Sequence, residues 1–260
     1  MHDIDFAMDL ARAAGKVVQD WSLAAGDTHF KGAVNPVTAA DRAAERLMIE
    51  MIERGRPSDG VVGEEGGLRP GERTWSLDPI DGTVNFLHGI PHVAVSVGLI
   101  DGDGPLVGVV LDVFKKEMFT AIRGGGSELD GSAISVSRAT DLSASLVATG
   151  FPYDRQERSD EYGRALAAGL HNCQGVRRNG SAALDLAWVA VGRFDAYWEF
   201  QVQPWDMAAG VLLVTEAGGI VTDVRGQPID VTKPSSILAS NEHVHRPMLD
   251  MLGPVIPTGY

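Results

Sequence analysis

The stretch from Trp75 to Phe86 reads Trp-Ser-Leu-Asp-Pro-Ile-Asp-Gly-Thr-Val-Asn-Phe and carries the densest chemistry in the chain. A strand is expected to deliver Asp78 at its carboxyl end, and Pro79 stiffens the backbone between Asp78 and Asp81. Two carboxylates on so short a turn can face one point in space. A hard divalent cation requires that: several oxygen ligands, some of them anionic. Gly82 and Thr83 then supply a small residue and a hydroxyl where a helix can begin, and free N–H groups at a helix start suit a phosphate. Metal ligands beside a phosphate cradle are the recurring geometry of metal-assisted phosphoryl transfer. The same Asp-Pro-x-Asp-Gly pattern is also an ordinary surface turn, so the spacing alone leaves both readings open.

Other acidic positions bear on that choice. Val61-Val-Gly-Glu64-Glu65-Gly-Gly places a carboxylate pair between an apolar strand end and a glycine turn, where it can reach a metal or sit in a solvated loop. Pro204-Trp205-Asp206 precedes an apolar helix, a place where aspartate is a preferred N-cap. Asp41 stands three residues after Thr38, which satisfies a capping box. Each has a purely structural reading.

Taken together and in this order, Gly63-Glu64-Glu65, Asp78-Pro-Ile-Asp-Gly-Thr83 with Asn85, and Trp205-Asp206 resemble the signature motifs of the inositol monophosphatases, a lithium-sensitive, magnesium-dependent phosphatase superfamily. The resemblance runs nearly the whole chain, through Asn35-Pro-Val-Thr-Ala-Ala-Asp41, Gly180-Ser-Ala-Ala-Leu-Asp-Leu186 and Glu216-Ala-Gly-Gly219. It implies an α/β fold of α+β type, the layered αβαβα sandwich shared with fructose-1,6-bisphosphatase. It implies that Glu64, Asp78, Asp81, Asp206 and the Ile80 carbonyl bind Mg2+, and that Asp41 and Thr83 orient and deprotonate the attacking water. The amides of Gly82 and Thr83 would hold the phosphate, and Gly180, Ser181 and Ala182 would form the substrate-side loop. Glu199, seven residues before Asp206 as in the family, would bind a substrate hydroxyl.

By the same resemblance Lys31 belongs to an early loop that closes over the metals, Glu65 stands behind the ligands or in solvent, and the protein is a homodimer. The reaction implied is in-line attack by metal-bound water on a small phosphorylated metabolite. Inositol 1-phosphate is the first choice of substrate, and histidinol phosphate or fructose 1,6-bisphosphate the alternatives. A different class is a non-catalytic, phosphate-sensing interaction protein on the same fold. Val84 departs from the pattern, standing where many relatives have threonine or lysine.

Several features invite other chemistry. Cys173 has no arginine-rich phosphate loop around it, and Pro91 between His88 and His92 argues against a helical zinc pair. Both histidines read as structural or rim residues. Arg177-Arg178 suggests an anion site, but a salt-bridging or subunit-interface role is preferred. Gly124-Gly125-Gly126 lacks the Lys-Ser/Thr of a P-loop and reads as a hairpin turn.

The elements that must position these residues emerge from hydrophobic periodicity. Helices are expected over residues 4–23, 39–54, 160–170, 181–191, 207–217 and 244–252. Strands are expected at 75–78, 93–100, 106–113, 117–122, 146–149, 196–199, 220–224 and 237–239. Residues 27–37 read as a loop or hairpin ending in Asn35-Pro36, and Asp101-Gly-Asp-Gly104 as a hairpin turn. The pattern predicts a layered sandwich, one domain with intimately packed halves at roughly 1–145 and 146–260 and no hinge linker.

Composition removes several classes. With 260 residues, 44% hydrophobic and 22% charged, the chain is globular rather than disordered. A net charge of −13 argues against general nucleic-acid binding. The lone Cys173 cannot form an internal disulfide. No apolar run suits a membrane span, and the acidic start Met-His-Asp-Ile-Asp is unlike a signal peptide, so a cytoplasmic protein with no membrane partner is expected.

Overall fold

The computed structural model describes residues 2–24, 39–66, 68–257 and 259. The early loop with Lys31, Asn35-Pro36 and Thr38, and with it the capping box proposed for Asp41, lies outside them. Helix α1 (Asp3–Ala24) repeats apolar residues at helical spacing, and Ala7, Leu10, Ala11, Ala14 and Val18 are fully buried. Helix α2 (Ala39–Gly55) does the same with Ala40, Ala44, Met48 and Ile52. Both lie on one face of the first sheet.

That sheet is built from β1 (Gly60–Gly63), β2 (Leu68–Arg69), β3 (Thr74–Asp81), β4 (Ala94–Asp101), β5 (Gly104–Asp112), β6 (Glu117–Ile122), β7 (Gly126–Leu129) and β8 (Ser132–Ala133). Its spatial order is β2-β1-β3-β4-β5-β6-β7-β8, with β1 and β3 parallel and the other neighbours antiparallel. Trp75 anchors it against α1. Its ring meets Phe6 edge-on at 5.5 Å, and its buried Nε1 donates to Asp59 at 2.9 Å. After β3 comes a short helix α3 (Thr83–Leu87).

The second sheet comprises β9 (Leu146–Thr149), β10 (Gly175–Arg177), β11 (Ala196–Val202), β12 (Ile220–Thr222) and β13 (Ser235–Ser240), in the order β10-β9-β11-β13-β12. Between the sheets run α5 (Ala182–Ala190) and α6 (Pro204–Glu216), apolar almost all round because both flanks are covered. Over the outer face of the second sheet lie α4 (Ser159–Asn172) and α7 (Glu242–Leu252), which bury Tyr162, Ala165, Val244, Met248 and Leu252. The layers are therefore α, β, α, β, α, as expected.

Strong periodic segments formed where the pattern placed them: β6 and β9 match the expected limits, and both long amino-terminal helices do so within a residue or so. The glycine run closes the β6–β7 hairpin, whose Gly124 and Gly126 amides donate to Glu216 at 2.8 and 2.9 Å. Differences arise where periodicity is too short to read. The strands β1, β2, β7, β8 and β10 are brief and were not expected as strands in their own right, apart from the apolar end at Val61 and Val62. Helix α6 starts earlier than 207, at Pro204, whose fixed φ suits a first helical position.

Irregularities in strand register decide where the acidic side chains point. Asp78 pairs with Ser96 but Asp81 with Ala94, so β3 carries one extra residue there. Glu199 pairs with Ile237 but Val202 with Ser235, the same defect in β11. In a regular strand, side chains three apart face opposite sides. A bulge cancels that alternation and re-aims the side chain beyond it.

Leu184 is fully buried in the layer between the sheets. Leu184→Ala is expected to cost about 2–5 kcal/mol. At ~2–4 °C per kcal/mol for a chain of this size, that shift is readable by scanning calorimetry.

Candidate active site

The irregular ends of β3 and β11 open into one cavity of about 350 Å³, lined among others by Glu64, Asp78, Ile80, Asp81, Gly82, Thr83, Glu199 and Asp206. Asp78 and Asp81 come from the first sheet, and Asp206 comes from the first turn of α6. One oxygen from each of these three lies within 4.8 Å of the others. The Asp78 carboxylate accepts the Ile80 amide at 2.9 Å, and Thr83 donates its hydroxyl to the Ile80 carbonyl at 3.1 Å. These bonds fold the Asp-Pro-Ile-Asp turn tightly. Gly82 follows at φ +97°, where a Cβ would approach the His92 and Gly180 carbonyls to 3.0 and 3.2 Å. Only glycine suits that left-handed, crowded position.

Asp81 is held from the opposite half of the chain. Ser181, the N-cap of α5, donates its hydroxyl to Asp81 at 2.5 Å, and the Ala183 and Ala182 amides donate at 2.8 and 3.3 Å. The carboxylate thus sits on a helix N-terminus, where the backbone dipole favours negative charge. Asn85 adds a second tie, donating to the His92 and Asn179 carbonyls, both at 2.8 Å. Asp206 accepts the Gln203 amide at 2.9 Å. It caps α6 from its third position by reaching back, rather than as the N-cap itself.

Burial and crowding make the cluster electrostatically tense. The Asp78 carboxyl is driven well above the usual carboxylate range by burial first, then by Glu64, Asp81, Asp206 and Asp41. Asp206 is raised by burial and then by Asp81. Glu64 is pushed up to about 8 by burial, then by Asp41, Glu65, Asp81 and Glu45. Burial raises Asp81 too, and its bonds from Ser181, Ala183 and Ala182 oppose that rise. In the same cavity, burial lifts Glu199 to about 7 while Tyr197 donates its phenol to it at 2.6 Å.

The remaining expected residues fall into place unequally. Gly180 and Ala182 line the cavity with Ser181, although the Ser181 hydroxyl and the Ala182 amide are turned toward Asp81. Asp41 is buried on the first turn of α2 and acts on Glu64 and Asp78 through its charge, without lining the cavity. Glu65 is neither free nor exposed: its side chain is 8% accessible, 3.9 Å from Arg42, and its amide donates to Glu45. His92 stands edge-on to Trp188 at 5.3 Å with its pKa lowered to about 4 by burial, a structural role. Val84 is 45% exposed at the cavity wall.

Sequence reasoning missed several wall residues. Gly150 is one, because a side chain there would collide with the Glu199 carboxylate. Asp185, buried on α5 and bonded by Asn179 at 2.9 Å, is another. Tyr153 and Arg155, on the short turn after β9, also line the cavity. Arg178 does too, and of the salt-bridging or subunit-interface role preferred for it, no ion pair to a described carboxylate is formed within the chain.

The family profile described as the inositol monophosphatase family matches residues 2–251. The chain belongs to that family. It is 39% identical over 263 residues to the Nus factor SuhB of Pseudomonas aeruginosa, covering 98% of this chain and 97% of that protein. It is 42% identical over 235 residues to the inositol-1-monophosphatase of Rhizobium meliloti, covering 88% and 87%. The solved inositol monophosphatase from Anabaena (Nostoc) superposes with a TM-score of 0.88 at 41% identity, covering 98% and 96%. The family is one of metal-dependent phosphatases, and the oxygen-only, partly anionic donor set of Asp78, Asp81 and Asp206 fits a hard divalent cation.

Glu64 and Glu199 hold protons in the folded protein at pH values where the unfolded chain has lost them. Their stabilising contribution is complete below about pH 4, the ordinary glutamate range, and is lost as pH rises toward about 7 for Glu199 and about 8 for Glu64. The chelator-treated protein should therefore melt at a lower temperature at pH 8 than at pH 5.5. Divalent cation at about 100 times its Kd should add ~2.7 kcal/mol at pH 8, a rise of several degrees in calorimetry.

Proposed function

We propose that the protein is a Mg2+-dependent phosphatase that hydrolyses a small phosphate monoester, inositol 1-phosphate foremost. The observation that carries this reading is the convergence of Asp78, Asp81 and Asp206 in a cavity that Glu199 also lines. Metal ligands and a hydroxyl acceptor in one cavity suit a phosphorylated polyol.

In this reading Glu64, Asp78, Asp81, Asp206 and the Ile80 carbonyl hold the cations. Bound divalent ions supply charge stabilisation for the phosphoryl oxygens and leaving alkoxide, and lower the pKa of water. Thr83 and Asp41 orient the attacking water and take its proton. The amides of Gly82 and Thr83 receive the phosphate, and Gly180, Ser181 and Ala182 shape the substrate side. Glu199 accepts a ring hydroxyl, with its carboxylate fixed by the Tyr197 phenol. No covalent phosphoenzyme is required. We read the chain as one domain, its halves at roughly 1–145 and 146–260 sharing the site, and as a cytoplasmic homodimer inhibited by lithium. Among the described residues no helix is long and apolar enough to cross a membrane.

Histidinol phosphate remains the alternative substrate, since a carboxylate such as Glu199 also receives a cationic amine. The similarity to a relative named Nus factor SuhB supports a second reading, a binding function in which catalysis is secondary.

Phosphate release at fixed Mg2+ separates these readings. The expected result is a higher kcat/KM for inositol 1-phosphate than for histidinol phosphate, and at least a hundredfold loss in a folded Asp81→Asn variant. Equal or better turnover of histidinol phosphate removes the substrate assignment. Undiminished turnover in Asp81→Asn removes the role given to Asp81.

A further inference from the structure

The first sheet is wider than the two helices that cover it. Helix α1 packs chiefly on β4 and β5 and α2 on β3, which leaves the β6–β7 end of that face partly open. A cavity of about 580 Å³ lies there, and it shares no lining residue with the carboxylate cavity. Met118, Thr120 and Ile122 alternate along β6 onto this face, and Ile4 and Met8 of α1 line the cavity with them. Across the ladder, Glu128 of β7 stands opposite Thr120, and Gly126 stands opposite Ile122. Directly paired residues share a face at about 5 Å, so the Glu128 side chain neighbours that of Thr120. A Cβ on Gly126 would meet nothing within 4 Å, so the groove is open at that end.

The polar groups of this groove are uncommitted. Thr120 is only 8% accessible, yet its hydroxyl makes no hydrogen bond with any described residue. A hydroxyl withdrawn from water without a partner is costly, and a donor or acceptor from outside the chain relieves that cost. The carboxylates of Glu128 and of Asp5, which lines the cavity from α1, likewise form no ion pair or hydrogen bond among the described residues. Asp130 has one oxygen taken by the Met118 amide at 3.0 Å, and Arg12 is engaged by Asp9 at 3.3 Å. The groove is therefore acidic over an apolar floor, and it lacks the all-oxygen lining that a hard metal ion takes. Ammonium groups joined by methylenes match it, with N–H donors for Glu128, Asp5 and Thr120 and carbon for Met8, Met118 and Ile122. We propose that this groove is a second ligand site, which binds a linear aliphatic polyamine. The proposal stands independently of the phosphatase reading.

Spermidine is the probe, titrated calorimetrically into the protein with Mg2+ in excess so that the carboxylates of Asp78, Asp81 and Asp206 do not compete for it. The expected result is saturable binding, at least tenfold tighter than that of hexaamminecobalt(III), a cation of the same charge without methylenes. Glu128→Gln and Thr120→Val should each weaken spermidine binding at least fivefold. Both variants are expected to fold, because Glu128 is exposed and valine nearly matches threonine in shape. Glu72→Gln, which alters an exposed carboxylate outside the groove, should leave the affinity unchanged. Absence of saturable spermidine binding overturns the proposal. Equal affinity for the two cations also overturns it, as does an affinity that neither Glu128→Gln nor Thr120→Val alters, since each leaves only general attraction to an acidic chain.

Discussion

Mutual repulsion among buried and half-buried carboxylates is the constraint on which the rest of this structure depends. Asp78, Asp81 and Asp206 bring oxygens within 4.8 Å of one another, and Glu64 and Asp41 add their charge to the same region. Without cations such a cluster either holds protons or costs stability. The fold answers part of this itself. The N-terminus of α5 receives Asp81, the Gln203 amide receives Asp206, and the Ile80 amide receives Asp78. What these donors leave uncompensated is a demand for positive charge, which divalent cations would meet.

Geometry makes the cluster possible. The first sheet supplies Asp78 and Asp81, the second half supplies Asp206 and Glu199, and the buried helices α5 and α6 lock the sheets together. Each contributing strand breaks register beside its functional carboxylate. The bulge in β3 lets residues three apart serve one cavity, and the bulge in β11 turns the chain from Glu199 toward α6. Most of the −13 charge lies elsewhere, on solvated surface, but this cluster explains how an acidic protein suits an anionic substrate. In the proposed reading, metal rather than lysine would provide the attractive field near the ester.

Much of this was legible in the sequence, for identifiable reasons. The stripe Leu10, Ala14, Val18 on α1 and the runs that became β6 and β9 are periodic enough to read directly. The Asp-Pro-Ile-Asp-Gly-Thr turn announced itself because proline, glycine and paired acids constrain one another. Other features depend on contacts that spacing does not encode. Gly150 matters only because Glu199 arrives from a strand far along the chain, and Ser181 meets Asp81 across 100 residues. The bulge in β11 has no proline to mark it. Arg178 could be weighed as an anion site from its neighbour Arg177, but nothing local showed which of the pair faces the cavity; that is a tertiary fact.

Asp206 offers the most direct test, since it joins the second half of the chain to the acidic side chains carried by the first. Calorimetric titration of the chelator-treated protein with Mg2+ at pH 7.5, compared between the unaltered chain and a folded Asp206→Asn variant, isolates its contribution. The account predicts saturable binding that weakens at least tenfold on losing this carboxylate. Absence of saturable binding, or equal affinity in the two proteins, would contradict it.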